Sequence, residues 1–234
     1  GSKAFVNNFE AANNAGFSVL LNVNYHTHAG KVPIPFTDAQ DYALFLTQVL
    51  DAIQAKNPLL KPALVVVENE ETNTKYFKIN SISDADRYLN LLKGAIAVCA
   101  ARDIKVTNGG ITNYLLTMLT WDWLTSKYGV TTANNWASNV MSPNLYAHDQ
   151  PPASAATVAL GKYMISSYAA LPLSYVNIHW YEPLRAAQFN EQHLGNPYFS
   201  IYNIDSTKLT EGALDSCVNY VNAALGKNVI TNET

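Results

Sequence analysis

The stretch ALVVVENEE at residues 63–71 carries the clearest indication of the fold. Its apolar part is continuous and does not alternate with polar residues, which is typical of a parallel strand covered on both faces. Directly after the valines come three acidic side chains and one asparagine. The stretch therefore predicts a buried strand, 63–69, with titratable groups at its carboxyl end.

The rest of the chain repeats this arrangement of apolar runs separated by amphipathic segments. The predicted strands are 17–24, 63–69, 104–108, 174–181 and 228–232. Apolar residues recur every three or four positions in the predicted helices, which cover 3–14, 42–53, 88–99, 153–168 and 214–225. Alternating strands and helices predict a parallel α/β sheet, open or closed into a barrel. The stretch 109–173 is too long for one crossover, so we expect an elaborated βα loop and helix there.

The composition excludes several classes of protein. Only 14% of the 234 residues are charged, against about 25% in an average domain, and the net charge is −3. A dedicated nucleic-acid-binding protein would show a basic excess, and a disordered chain would be more charged and less hydrophobic. No apolar run reaches the roughly 18 residues of a membrane span. We therefore expect neither a nucleic-acid nor a membrane partner.

Every predicted strand ends in polar side chains. The polar segments are 22–28, 68–71, 107–110, 177–182 and 231–233. The carboxyl ends of parallel strands share one edge, where α/β enzymes place their active sites. Because the chain has so few charges, this concentration of Glu, His, Asn and aromatic residues predicts a functional edge.

The residue types at this edge suit glycoside hydrolysis, which uses one carboxyl group as acid/base and another as nucleophile or base. Glu70 and Glu233 are the natural pair, because each directly follows an asparagine. Strand-end asparagines such as Asn69 and Asn108 can bind sugar hydroxyls. The stretch 179–181 adds His179, which can orient a carboxylate, and Trp180 and Tyr181, which can stack on sugar faces.

These residues together resemble a known clan. Asn69-Glu70 after a valine run, His179-x-Tyr181 on a later strand and a last strand ending in Glu233 resemble the retaining (β/α)8 glycoside hydrolases, which include cellulases, mannanases and β-xylosidases. The resemblance implies that Glu70, ending strand four, is the acid/base and that Glu233, ending strand seven, is the nucleophile. It implies that His179 and Tyr181 hold the nucleophile and the substrate.

The resemblance also implies an α/β fold of the TIM-barrel type. Asn24, His26 and His28 would end strand three, with Asn24 and His26 binding the substrate. The clan's strand-two arginine and strand-eight tryptophan have no counterpart, so we expect a single catalytic domain, 1–234, that is truncated at both ends and covers about strands three to seven. A carbohydrate substrate, no cofactor, no metal site and a secreted or periplasmic location are implied. The oligomeric state is not predicted.

Three alternatives remain open at this point. Glu68 lies two residues before Glu70 and points the same way in a strand, so these two could form the acidic pair, and Glu71 and Glu182 are further candidates. The sequence His26-Thr27-His28 resembles the metal-binding pair of amidohydrolases, with His179 as a further ligand. The third alternative is that the protein is a relative that binds carbohydrate without catalysing its hydrolysis.

Overall fold

The computed structural model describes residues 2–24, 38–72, 76–77, 79–140, 155–180 and 213–233. The strands are β1 (Leu20–Val23), β2 (Leu64–Val67), β3 (Lys105–Asn108), β4 (Ile111–Thr112), β5 (Val176–His179) and β6 (Val229–Glu233). The helices are α1 (Ser2–Asn14), α2 (Ala39–Lys56), α3 (Ile82–Ala100), α4 (Asn113–Tyr128), α5 (Val130–Val140), α6 (Ala155–Ala169) and α7 (Ala213–Leu225). Each of the five predicted strands is confirmed at its centre, and β4 is an addition.

The strands form two parallel three-stranded sheets, in the orders β1-β2-β3 and β4-β5-β6. All four residues of β2 are buried, which confirms the interpretation of the valine run. In the first sheet Val67 is paired with Asn108. In the second sheet His179 is paired with Thr112 on one side and with Glu233 on the other. Parallel pairing therefore brings the carboxyl ends of the strands in each sheet to one edge.

The predicted TIM barrel, covering about strands three to seven, is wrong. The described strands form two separate sheets and no closed barrel. The chain leaves the first sheet at Gly109 and Gly110, and the next extended residues, Ile111 and Thr112, pair with β5 instead of continuing β3. Apolar runs identify strands, but the partner of each strand depends on such local backbone changes, which the runs do not encode.

Side chains join the two sheets where β3 faces β5. The Thr107 hydroxyl donates to the Tyr175 carbonyl oxygen at 2.9 Å. The Asn108 side chain donates to the Asn177 carbonyl oxygen at 2.9 Å and accepts from the Asn177 backbone N–H at 2.7 Å. We call this contact, made by Thr107, Asn108, Tyr175 and Asn177, the inter-sheet seam. One carboxamide there satisfies both backbone groups that a neighbouring strand would otherwise bind.

The helices cover the sheets and supply most of the core. The N-terminus of α2 is capped by Asp38, whose carboxylate accepts from the Gln40 N–H at 2.7 Å. The largest fully buried side chains include Tyr42, Tyr88, Tyr168, Phe77, Leu46, Leu50 and Ile53. Within 109–173 lie β4, α4, α5 and α6. None of the helices in the described ranges has the length and apolarity needed to cross a membrane.

Candidate functional site

Polar side chains are concentrated where β2, β3 and β5 end. The buried polar residues at this edge are Glu68, Glu70, Glu71, Thr107, Asn108, Asn177 and His179. Buried polar groups normally require hydrogen-bond partners, so their bonding pattern defines what the edge can do.

Glu70 and His179 form the central contact of the site. The Oε1 atom of Glu70 lies 3.1 Å from Nδ1 of His179, and the Glu70 side chain is only 9% exposed. The other ring nitrogen, Nε2, lies 3.0 Å from Oδ1 of Asn232. Asn177 donates from Nδ2 to the same Asn232 oxygen at 2.6 Å. A carboxyl group from the first sheet and an imidazole from the second are thus held together.

The backbone after β2 is strained at two glutamates. Glu68 has a φ of 63° and Glu70 a φ of 41°, values that residues with a Cβ adopt at a cost of roughly 1 kcal/mol or more each. Backbone hydrogen bonds hold this segment, from the Glu68 N–H to the Val23 carbonyl oxygen at 3.0 Å and from the Glu70 N–H to the Gly109 carbonyl oxygen at 3.3 Å. Both neighbouring strands therefore fix the turn that places the Glu70 carboxyl group.

Gly110 makes room for the imidazole. A Cβ atom at this position would lie 2.2 Å from Nε2 of His179, and the φ of +124° already disfavours any other residue. At Gly109, a Cβ atom would lie 2.8 Å from the Val67 carbonyl oxygen. The two glycines thus let the chain change sheets while the His179 ring packs directly on the backbone.

Glu71 is a fully buried carboxyl group behind Glu70. Its Oε1 atom accepts from the Tyr168 hydroxyl at 2.6 Å and from Nδ2 of Asn108 at 2.9 Å. Its Oε2 atom has no hydrogen-bond partner among the described residues. Burial raises the pKa of Glu71 above its ordinary value, and the bonds from Tyr168 and Asn108 only partly oppose this effect.

The raised pKa of Glu71 makes stability depend on pH. A carboxyl group whose pKa is higher in the folded chain than in the unfolded chain stabilises the fold at pH values below its unfolded pKa, 4.5. This stabilisation is lost as the pH rises through the folded pKa. We expect the free energy of unfolding of the wild type to fall relative to Glu71→Gln over this window, by up to about 1.4 kcal/mol per pH unit. Urea unfolding of both proteins at a series of pH values measures it, and parallel curves would contradict it.

The structure brings together some of the predicted site residues. Glu70, Asn108 and His179 meet, although Asn108 uses its carboxamide for Glu71 and the inter-sheet seam. Trp180 is 7% exposed and belongs to the core; its indole N–H has no hydrogen-bond partner among the described residues. Asn24 and Asn69 are half-buried, Asn24 directly after β1 and Asn69 in the segment that follows β2.

Other predicted residues lie beyond what the structure describes. His26, His28, Tyr181 and Glu182 fall outside the described residues. The backbone of Glu233 is paired with His179, while its side chain is outside the described part. Strand pairing thus places the Glu233 backbone beside His179, the residue whose ring contacts Glu70.

The residues that contact the far side of His179 were not among the predicted site residues. Asn177 and His179 are two apart in β5 and therefore share a face, and both contact Asn232. Asn232 precedes Glu233 as Asn69 precedes Glu70, so the repeated Asn-Glu pair was a usable signal. Tyr168 was assigned only to a helix, and nothing in the sequence points to its bond with Glu71.

Neither a candidate metal site in the described residues nor a match to a known protein points to another function. No group of three or more His, Cys, Asp or Glu residues within the described ranges could hold a metal ion. Compared with protein-family models, with curated proteins and with solved structures, the chain gives no match.

Proposed function

We propose that the protein is a glycoside hydrolase that cleaves β-glycosidic bonds of an oligo- or polysaccharide with retention of configuration. The observation that carries the proposal is the contact of Glu70 with His179, whose partner in β6 is Glu233. Paired parallel strands lie about 5 Å apart, so the backbones of His179 and Glu233 are neighbours. The carboxyl group of Glu70 and the backbone of Glu233 thus both lie next to His179, at the edge where active sites are built.

In this proposal Glu70 is the acid/base and Glu233 is the nucleophile. The Glu233 carboxylate attacks the anomeric carbon while Glu70 gives its proton to the leaving oxygen. Water activated by Glu70 then attacks the glycosyl ester and releases Glu233. Retention requires the two carboxyl groups to be about 5–5.5 Å apart. A secreted or periplasmic location accompanies the proposed polymeric substrate.

The metal-dependent alternative receives less support from the geometry. His179 would be its third histidine ligand, but both ring nitrogens already contact protein oxygens, on Glu70 and on Asn232. Binding a metal there would require one of these contacts to break, because a histidine ligand coordinates through a single ring nitrogen. His26 and His28, on which that alternative depends, lie outside the described residues.

Trapping of the covalent intermediate tests the proposal. The probes are dinitrophenyl 2-deoxy-2-fluoro-β-glycosides of glucose, mannose, xylose and their β-1,4-linked disaccharides, because fluorine slows hydrolysis of the glycosyl-enzyme. We expect a burst of one dinitrophenolate per protein and a fluoroglycosyl adduct on the peptide containing Glu233, measured by mass spectrometry. An adduct on another carboxylate would remove Glu233 from its role. Absence of both burst and turnover across the fluorinated and ordinary glycosides would contradict glycosidase function.

A further inference from the structure

The His179 ring lies between two oxygen atoms. Oε1 of Glu70 is 3.1 Å from Nδ1, and Oδ1 of Asn232 is 3.0 Å from Nε2. The ring and its strand neighbour Asn177 are fully buried. Each ring nitrogen thus faces one oxygen atom, and an oxygen that can only accept requires a proton on the nitrogen that it faces.

The Asn232 oxygen can only accept a hydrogen bond. It is a carboxamide carbonyl oxygen, and it also receives the Nδ2–H of Asn177 at 2.6 Å. The Asn177 backbone is in turn fixed, because its N–H and its carbonyl oxygen are both bound by the Asn108 side chain. With the Asn232 carboxamide in this orientation, a favourable contact with Nε2 of His179 requires a proton on that nitrogen.

From this geometry we propose that Asn232 fixes a proton on Nε2 of His179, so that the hydrogen bond between His179 and Glu70 holds one proton in the resting protein. With Nε2 protonated, the contact at Nδ1 has two forms that contain the same number of protons. Either Glu70 is protonated and donates to Nδ1, or Glu70 is a carboxylate and accepts from Nδ1 of an imidazolium. His179 is in both forms a positioning residue for the acid/base group.

The inference rests on the proposed function and specifies where its acid proton is stored. In the first step this proton passes to the glycosidic oxygen as its bond to the anomeric carbon breaks and the bond to Glu233 forms. The Glu70–His179 pair then holds one proton fewer, and two lone pairs face each other across the contact. This arrangement favours removal of a proton from water in the second step, when the oxygen of water attacks and the ester bond to Glu233 breaks.

Nitrogen NMR of protein labelled with ¹⁵N-histidine tests the inference without any substrate. The chain has five histidines, and the His179 signals are identified by their loss in His179→Gln or, if that variant does not fold, by correlations from ring to backbone. We expect Nε2 to carry a proton at every pH at which the protein is folded. A neutral ring with its proton on Nδ1 and a bare Nε2 would overturn the inference.

Two variants of Asn232 give the matched comparison. Asn232→Asp keeps an accepting oxygen and should keep the proton on Nε2, whereas Asn232→Ala should allow the other tautomer. On phenyl β-glycosides we expect about a 10-fold lower kcat for the alanine variant, a fraction of the 10²–10⁴-fold contribution of a general acid. Equal tautomers and equal kcat in both variants would overturn the inference. An inactive wild type with the expected tautomer would reject the glycosidase proposal instead.

Discussion

Replacement Glu70→Gln is expected to lower kcat on phenyl β-glycosides by about 10²–10⁴-fold, the contribution of a general acid. The amide keeps the size of the side chain and can still contact His179, but it has no acidic proton to give to the leaving oxygen. Dinitrophenolate leaves without protonation, so the first step with dinitrophenyl β-glycosides should be affected far less. Steady-state rates over a series of aryl leaving groups, combined with burst measurements, record the difference.

Two further variants define what this result means. Glu68→Gln changes the other candidate carboxyl group on the same strained segment. If kcat fell for poor leaving groups in Glu68→Gln while Glu70→Gln kept the wild-type kcat, the acid role would move to Glu68. Glu10→Gln is the matched control, since Glu10 lies on α1 and forms a partly exposed ion pair with Lys56 at 3.4 Å. We expect its kcat to stay within about twofold of the wild type, because such pairs contribute little.

Replacement Asn108→Ala is expected to lower the free energy of unfolding by about 3–5 kcal/mol. The change removes four hydrogen bonds at a fully buried position: two with the Asn177 backbone, one to Glu71 and a longer one from the Thr107 hydroxyl. Each buried polar group left without a partner costs about 1–3 kcal/mol. Urea unfolding followed by circular dichroism measures the effect, with the denaturant slope checked for two-state behaviour.

Asn90→Ala provides the control for this stability measurement. Asn90 is exposed on α3, where alanine has the higher helix propensity, so we expect no loss and a change within about 0.5 kcal/mol. A loss below 1 kcal/mol for Asn108→Ala would show that the inter-sheet seam is not held by this carboxamide.

The individual strands were predictable from sequence because burial leaves a direct composition signal. The run 64–67 is apolar throughout, and its burial on both faces follows. The division into two sheets was not predictable, since it depends on Gly109 and Gly110 and on Asn108 acting as a substitute for backbone hydrogen bonds. The sequence does not distinguish an asparagine at a strand end that binds substrate from one that binds the backbone of a neighbouring strand.

The candidate site was predictable in its main residues and not in its supporting contacts. Glu70 and His179 were singled out because Glu and His are concentrated at the strand ends of a chain that has few charges. The roles of Asn232 and Tyr168 depend on long-range contacts. Asn232 is 53 positions from His179 in sequence, and Tyr168 is 97 positions from Glu71. Such distant pairs leave no local sequence pattern, because the two side chains come together only when the chain folds.

The inter-sheet seam divides the site between two potential units of cooperative unfolding. Glu70 and Glu71 follow a strand of the first sheet, while His179 and Asn232 belong to the second. Regions joined mainly by side-chain bonds can open at lower free energy than regions joined by a continuous ladder. Catalytic competence would then report whether the two halves are docked, and a ligand that contacts both halves would suppress amide hydrogen exchange on both sides of the seam.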